Sequence, residues 1–129
     1  MQHLLWIGLG FAIVAFLVRM KTGKARRRIV RDHLREGATV LDVRTAEEYD
    51  ADHYEHALNI PLHILHGKLG MLGTNKKQPV ILYCDSGMRS GSAAIILMRA
   101  GFRHVHNAGT LNDVRRAAAD LDAARETER

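Results

Sequence analysis

Fifteen consecutive residues near the start of the chain, Leu4 to Val18, carry no charged or strongly polar side chain. As a helix this run is about 22 Å long, and residues 1–20 reach about 30 Å, the thickness of a hydrocarbon core, once flanking basic side chains snorkel. A helix that is apolar on every side lacks the polar face needed to lie on a membrane surface. The run therefore predicts one transmembrane anchor over residues 1–20.

The residues after this run are strongly basic, and no acidic residue stands among them: Arg19, Lys21, Lys24, Arg26, Arg27, Arg28 and Arg31. Signal peptides carry their positive charge before the apolar run, so this order favours an uncleaved anchor over a cleaved signal peptide. The positive-inside rule predicts a single-pass protein of the inner (plasma) membrane with a cytoplasmic domain; the alternative is a periplasmic domain after cleavage. We interpret residues 21–31 as a basic juxtamembrane topology signal, with specific binding of anionic lipid as the alternative.

The rest of the chain, residues 32–129, is long enough for one small domain. It carries 12 Lys and Arg against 14 Asp and Glu, a net charge of −2. Such a domain has no overall attraction for a phosphate backbone, so nucleic acid is not an expected partner. Cys84 is the only cysteine, which excludes an intramolecular disulfide framework and multi-cysteine zinc or iron–sulfur sites.

Helical and strand patterns alternate after residue 26, which predicts an α/β domain. Thr45 with Glu48 three residues later forms a capping box, the signature of a helix start. The run Val80–Tyr83 is continuously apolar and rich in β-formers, as is typical of a central parallel strand covered on both faces. The expected helices are residues 26–35, 45–52, 62–72, 90–100 and 111–126, and the expected strands are 39–43, 58–60, 80–83 and a short one at Val105.

Cys84 stands where the central strand ends and a helix is about to begin, and in an open α/β sheet sites form at this position. The N–H groups and dipole of a helix N-terminus lower the pKa of a thiol, which favours the nucleophilic thiolate. Gly87 allows the loop to curl so that its amides converge, and Arg89 supplies a cation for an anionic substrate. A lone cysteine is more often a small buried apolar residue, but this setting favours a reactive one.

Four segments of the chain, together covering most of Val40 to Val114, resemble the rhodanese family, particularly its small single-domain members. They are Asp42-Val43-Arg44 with Glu48-Tyr49, His53 with Ala57-Leu58-Asn59-Ile60-Pro61, the loop Tyr83-Cys84-Asp85-Ser86-Gly87-Met88-Arg89-Ser90, and Gly101-Phe102 and Val105 followed by Asn107-Ala108-Gly109. The resemblance implies a three-layer α/β fold with a central, mostly parallel sheet flanked by helices, here preceded by the transmembrane helix.

The resemblance also implies a thiosulfate sulfurtransferase. In such an enzyme Cys84 takes the sulfane sulfur, releases sulfite, holds a persulfide and passes the sulfur to cyanide or to a small or protein thiol. No cofactor is expected, because the covalent persulfide is itself the intermediate. The converging loop amides and the helix N-terminus suit this anion. The implied substrate-binding loop is Asp85, Ser86, Gly87, Met88 and Arg89, with Asp42, Arg44 and Ser90 as supporting residues.

Two other functions remain open. Related phosphatases use a C-x5-R loop around a tetrahedral phosphate, whereas Cys84 and Arg89 are separated by four residues, and the smaller loop favours sulfur. A non-catalytic rhodanese-like binding or regulatory module at the membrane is the principal alternative. Asp85 adds a negative charge beside the cysteine and is expected to disfavour dianionic thiosulfate, so that a protein persulfide becomes the donor.

Three residues depart from the family pattern while leaving the Cys84 loop intact. Asp52 and His56 stand where glycines are usual, and Thr110 replaces the second glycine of the closing segment. We expect these substitutions to change the geometry of the neighbouring turns.

Two further groups of polar residues receive structural interpretations. The histidine pairs spaced three apart, His53 with His56 and His63 with His66, have no adjoining pattern that completes a metal site, so no metal is expected. His104 and His106 are expected to be surface residues. Asp42 and Arg44 are expected to form a structural hydrogen-bond pair near the active loop.

Overall fold

The computed structural model describes all residues, 1–129, and its first element is a single helix, α1, at Gln2–Arg35. The sequence predicts an apolar helix and a separate helix from residue 26, but nothing interrupts the two. The basic stretch consists largely of good helix formers, and its one glycine, Gly23, stays helical. The helix is long and apolar enough to cross a membrane, and its apolar stretch has no buried residue. Val30, near its other end, is buried in the domain core.

Nine shorter elements follow α1. They are β1 (Thr39–Asp42), α2 (Ala46–Ala51), β2 (Leu58–Asn59), α3 (Leu62–Leu65), a short 3-10 helix (Leu69–Leu72), β3 (Val80–Cys84), α4 (Met88–Arg99), β4 (Val105–Thr110) and α5 (Leu111–Thr127). All strands pair in parallel, in the order β2-β1-β3-β4. The predicted α/β class, with a parallel sheet flanked by helices and one long apolar helix before it, is confirmed.

The sheet separates two apolar clusters, which gives the domain three layers. Successive residues of a strand face opposite sides, so Leu41 and Leu82 pack towards α3 and α4, while Val40 and Ile81 pack towards α1 and α5. Every residue of β3 is buried, as predicted for a central strand. The sheet is therefore packed on both sides at the point where β3 ends and Cys84 lies at its carboxyl edge.

Three predicted boundaries are wrong. The helix expected over residues 62–72 is broken into α3 and the 3-10 helix, because Gly67 and Gly70 each weaken a helix by about 1 kcal/mol relative to alanine. Helix α4 begins at Met88, two residues earlier than expected, because Gly87 adopts a left-handed conformation and caps it. Strand β4 continues to Thr110 instead of ending near Val105, with a register shift opposite Leu82 and Tyr83.

Candidate active site

Cys84 ends β3 and is completely buried. Its Sγ accepts hydrogen bonds from the backbone N–H of Gly87 at 3.0 Å and of Ser90 at 3.4 Å, and it lies 3.4 Å from the Ser90 hydroxyl. The sulfur thus lies inside the loop that joins β3 to α4, faced by donors from the first turn of the helix. This is the convergence of amides that the sequence predicts.

Gly87 shapes this loop. Its φ is +87°, a region that residues with a Cβ rarely adopt, and a Cβ placed there would lie 3.3 Å from the Cα of Gly109. Glycine at position 87 therefore lets the loop both curl around Sγ and lie against the end of β4.

The pKa of the Cys84 thiol reflects two opposing effects. Burial raises it, because the thiolate loses solvation, while hydrogen bonds from the Ser90 hydroxyl and from the Ser90, Ser86 and Gly87 amides lower it. The hydrogen bonds prevail and the pKa lies below its ordinary value. The thiolate is the nucleophilic form of cysteine, so the arrangement is suited to nucleophilic attack.

Asn107, on β4, is a site residue that the sequence reasoning missed. Its Nδ2 donates to the Gly87 carbonyl at 2.9 Å, and its Oδ1 accepts from the Ser90 hydroxyl at 2.7 Å and from the Gly109 amide at 3.0 Å. One side chain thus joins the loop, the helix start and the neighbouring strand. The available signal was its place in the segment Asn107-Ala108-Gly109, which carries part of the family resemblance.

Arg89 is already engaged by two carboxylates. Its guanidinium donates to both oxygens of Glu48 at 2.8 and 2.9 Å and lies 3.0 Å from Asp85. The Arg89 bonds, with those from Thr45, lower the pKa of Glu48 to about 2, so this group of three residues carries a formal charge of −1. Arg89 is thus not the free cation that the sequence suggests, and its expected role with an anionic substrate would require it to exchange a carboxylate.

The remaining loop residues are exposed. The Ser86 hydroxyl accepts from the Met88 amide at 3.5 Å, and Asp85 extends into solvent beside Arg89. The Met88 side chain is 79% exposed, so an apolar group stands at the outer rim of the loop.

Asp42 and Arg44 form a buried ion pair on the adjoining strand end. The Arg44 Nη2 is 2.7 Å from Oδ2 of Asp42, the Arg44 amide donates to Oδ1 at 2.9 Å, and the guanidinium lies over the Tyr83 ring. This geometry matches the structural pair expected from the sequence. The contacts reach Tyr83, the residue before Cys84, and do not reach Sγ.

The three residues that depart from the family pattern each have a local partner. The Asp52 carboxylate binds Arg115 at 2.6 Å, and its carbonyl accepts from Arg44. Thr110 caps α5 through a reciprocal capping box with Asp113. The His56 ring packs edge-on against Tyr54.

The histidines are dispersed, and no three His, Cys, Asp or Glu side chains lie together as a metal site would require. The His53 ring stacks on Tyr49, and its Nδ1 lies 2.7 Å from the backbone carbonyl oxygen of Tyr49. His104 is exposed as expected, but His106 is not simply a surface residue: it stacks on His33 of α1, and its Nε2 is buried without a partner. Helix α1 covers this side of β4, which the sequence pattern did not reveal.

Comparison with known proteins agrees with this geometry. Residues 27–112 match the model of the rhodanese-like domain. The thiosulfate sulfurtransferase PspE of Escherichia coli K12 is 39% identical over 74 residues, which cover 57% of this chain and 71% of that protein.

Two solved structures superpose on most of the domain. A structure described as a rhodanese with anions from E. coli is 38% identical, with a TM-score of 0.56, and covers 59% of this chain and 89% of its own. The human single-domain sulfurtransferase TSTD1 is 26% identical, also with a TM-score of 0.56, and covers 64% and 86%. With a family match over two thirds of its length, the chain belongs to the rhodanese-like domain family.

Proposed function

We propose that this chain is a membrane-anchored thiosulfate sulfurtransferase that carries a sulfane sulfur on Cys84. The principal support is the position of Sγ among the Gly87 and Ser90 donors, which favour an anion on sulfur. The similarity to a thiosulfate sulfurtransferase over the same segment supports the choice of substrate.

In the proposed first half-reaction, the Cys84 thiolate attacks the outer sulfur of thiosulfate. The sulfur–sulfur bond of thiosulfate breaks, and sulfite leaves with the bonding electron pair. Cys84 then holds a persulfide anion, so the total charge of −3 is the same before and after the step. The loop amides stabilise the anion in both states.

In the second half-reaction, cyanide or a thiolate attacks the terminal sulfur of the persulfide. The new bond forms as the Cys84 sulfur leaves with its electron pair, which gives thiocyanate or a new persulfide and restores the thiolate. Two half-reactions through a covalent intermediate predict ping-pong kinetics. The acceptor takes up the sulfane sulfur directly, so no second cysteine of the chain is needed and no cofactor is required.

Access to Sγ requires movement of the loop. Cys84 exposes no surface, whereas three residues of the loop that follows it, Asp85, Ser86 and Met88, are exposed. A donor sulfur can therefore reach Sγ only when this short segment shifts.

The test uses the full chain in detergent and a Cys84→Ser variant. After incubation with thiosulfate, intact mass should show a gain of one sulfur in the parent alone, and cyanide should then release thiocyanate from the parent alone. A folded parent that gains no sulfur from thiosulfate or from a small persulfide would contradict transfer and favour the binding-module alternative. A sulfur gain that persists in Cys84→Ser would exclude Cys84 as the carrier.

The anchor is a separate part of the proposal, and the apolar run of α1 supports it. The basic residues that follow favour a single-pass protein of the inner membrane with the domain in the cytoplasm. Carbonate extraction of cell membranes should leave the full-length chain in the pellet, and protease should reach the domain only from the cytoplasmic side. Release of a chain shortened at its N-terminus would support a cleaved signal peptide and a periplasmic domain instead.

A further inference from the structure

A cavity of about 250 Å³ lies where α1 passes the start of α5, outside the loop that holds Cys84. Its polar lining consists of four cations and one carboxylate: Lys24, Arg26, Arg27, Arg116 and Asp113. The proposed sulfur transfer uses none of them.

Two of the four positive charges are uncompensated, because the lining includes Asp113 and Arg27 is paired with Asp120. Arg27 is paired with Asp120 at 2.6 Å, and the Asp113 carboxylate is engaged by the amide and hydroxyl of Thr110. The other three cations have no carboxylate within 4.0 Å. Like charges that share one concavity repel one another, and a bound anion would replace this repulsion with charge-assisted hydrogen bonds.

The rest of the lining is apolar and extends towards the membrane end of α1. Val30 and Ala108 are buried at the domain side of the cavity, and Met20 lines it at the opposite side. Met20 follows the apolar run of α1 by two residues. The cavity therefore suits a ligand with an anionic head and an apolar remainder that continues along the helix.

The direction of α1 brings this cavity to the membrane-facing edge of the domain. His33 stacks on His106, whereas Arg26 Nη1 would lie 3.3 Å from a Cβ placed on Gly109, so α1 runs antiparallel to β4. The seven helical residues and the three strand residues between these contacts both span about 10 Å. From Arg26 to Met20 the helix rises about 9 Å further, beyond the carboxyl edge of the sheet.

We propose that this cavity binds the phosphate headgroup of an anionic phospholipid. Lys24, Arg26 and Arg116 hold the phosphate, and the acyl chains lie along the apolar part of α1. The proposal rests on the membrane anchor proposed above. It places the bound headgroup beside Gly109, which contacts Gly87 of the Cys84 loop, so that the lipid holds the catalytic edge against the bilayer surface.

The test compares two variants of equal charge in the full chain purified in detergent. The double variant Lys24→Gln with Arg116→Gln removes two cations of the cavity. The double variant Lys21→Gln with Arg28→Gln removes two cations of α1 that do not line the cavity. Native mass spectrometry and thermal unfolding are measured against dioleoylphosphatidylglycerol, dioleoylphosphatidylcholine and inorganic phosphate.

The parent and the Lys21/Arg28 variant should each retain one phosphatidylglycerol, bound at least tenfold more tightly than phosphatidylcholine. The Lys24/Arg116 variant should lose at least tenfold in phosphatidylglycerol affinity. Equal losses in both variants would overturn the site in favour of diffuse attraction, and unchanged affinity in both would overturn it outright. If millimolar inorganic phosphate raised the Tm as much as phosphatidylglycerol does, the cavity would be assigned to a free anion and not to a lipid.

These readouts are independent of the proposed activity. Neither double variant touches the Cys84 loop, so sulfur gain on Cys84 should be equal in all three chains. Lipid binding without sulfur transfer would support the lipid site and contradict the proposed activity. Sulfur transfer without lipid binding would support the activity and contradict the lipid site. Carbonate extraction tests the anchor in cells without reference to either.

Discussion

Ser90 lies between two acceptors and has one hydroxyl proton to donate. Its Oγ is 2.7 Å from Asn107 Oδ1 and 3.4 Å from Cys84 Sγ, and the Asn107 bond to Gly87 fixes the orientation of that amide. While Cys84 is a thiol, the Ser90 proton goes to Asn107 and the thiol donates to Oγ. Once Cys84 is a thiolate, the hydroxyl can turn and donate to sulfur.

Ser90→Ala should therefore raise the pKa of Cys84, because the thiolate loses one of its donors. A hydrogen bond to a charged group is worth roughly 1.5 kcal/mol, so persulfide formation at neutral pH should slow by about tenfold. The measurement is the rate of Cys84 alkylation against pH. Ser92→Ala is the matched control, since Ser92 is exposed on the same helix, and an unshifted profile in Ser90→Ala would contradict the role of the hydroxyl.

Asp85 is the second residue with a measurable effect. Its carboxylate belongs to the Arg89 and Glu48 group with a net charge of −1 beside the loop, which should repel dianionic thiosulfate. Asp85→Asn removes that charge at constant shape, and the KM for thiosulfate should fall about threefold at low salt and less at high salt. Asp50→Asn, an exposed carboxylate without an ion pair, serves as the control. An unchanged KM would refute the repulsion and remove the reason to prefer a persulfide donor.

The sequence identified residues of this site that local pattern reveals, and it missed residues that only pairing across the sheet reveals. Cys84 and Gly87 could be read from a strand, a loop and a helix start. Asn107 is 23 residues from Cys84 and reaches the loop because β4 pairs with β3. The engagement of Arg89 by Glu48 likewise depends on α2 lying beside the loop, which spacing along the chain does not encode.

The capping of α5 by Thr110 accounts for a threonine at the position where the family usually has a glycine. The Thr110 hydroxyl accepts from the Asp113 amide at 3.2 Å, and the Thr110 amide donates to the Asp113 carboxylate at 2.9 Å. Thr110→Ala should cost about 1 kcal/mol and lower the Tm of the domain by about 5 °C. Thr127→Ala at the exposed end of the same helix should change it little. Equal shifts in the two variants would contradict the cap.

The contact between α1 and β4 should make the domain sensitive to acid. Burial of His106, with the charges of His33 and His104, lowers the pKa of His106, so the folded chain keeps it neutral while the unfolded chain binds a proton below about pH 6.5. Stability should fall as the pH drops below that value. Glu36, at 3.2 Å from His33, is the one carboxylate paired with this cluster.

His106→Phe keeps the stacked ring and removes the titrating group. Thermal unfolding from pH 8 to pH 5 should show a weaker loss of stability in this variant than in the parent. His66→Phe, at an exposed position, should keep the slope of the parent. If His106→Phe kept that slope too, the acid sensitivity would have to come from another group.

Element order was predictable because hydrophobic period and capping residues are local signals, whereas two junctions were not. The pattern gave no sign that the apolar run and the helix from residue 26 join into α1, since each segment is helical alone and only the absence of a breaker connects them. The break at Gly67 is the opposite case, in which one predicted helix is divided into two. There the apolar spacing of residues 62–72 fits one helix, but its glycines allow the chain to turn.

The continuity of α1 predicts how the domain is oriented relative to the proposed membrane anchor. Helix α1 is continuous and runs antiparallel to β4, so the carboxyl edge of the sheet lies on the side of the apolar run. In the proposed membrane-anchored state this edge is directed towards the bilayer. Met88 marks this edge, and Lys77, in the turn before β3, marks the opposite one. The five residues of β3 separate the two edges by about 17 Å.

A fluorophore should therefore sense the membrane more strongly at Met88 than at Lys77. In a Cys84→Ser background, Met88→Cys and Lys77→Cys are labelled one at a time, and the full chain is placed in nanodiscs with a headgroup nitroxide lipid. Quenching should be several-fold greater at position 88, because quenching by a nitroxide falls steeply over distances of this size. Equal quenching would mean that α1 bends between the membrane and the domain. Stronger quenching at position 77 would reverse the orientation and place the Cys84 loop on the side of the domain that faces away from the bilayer.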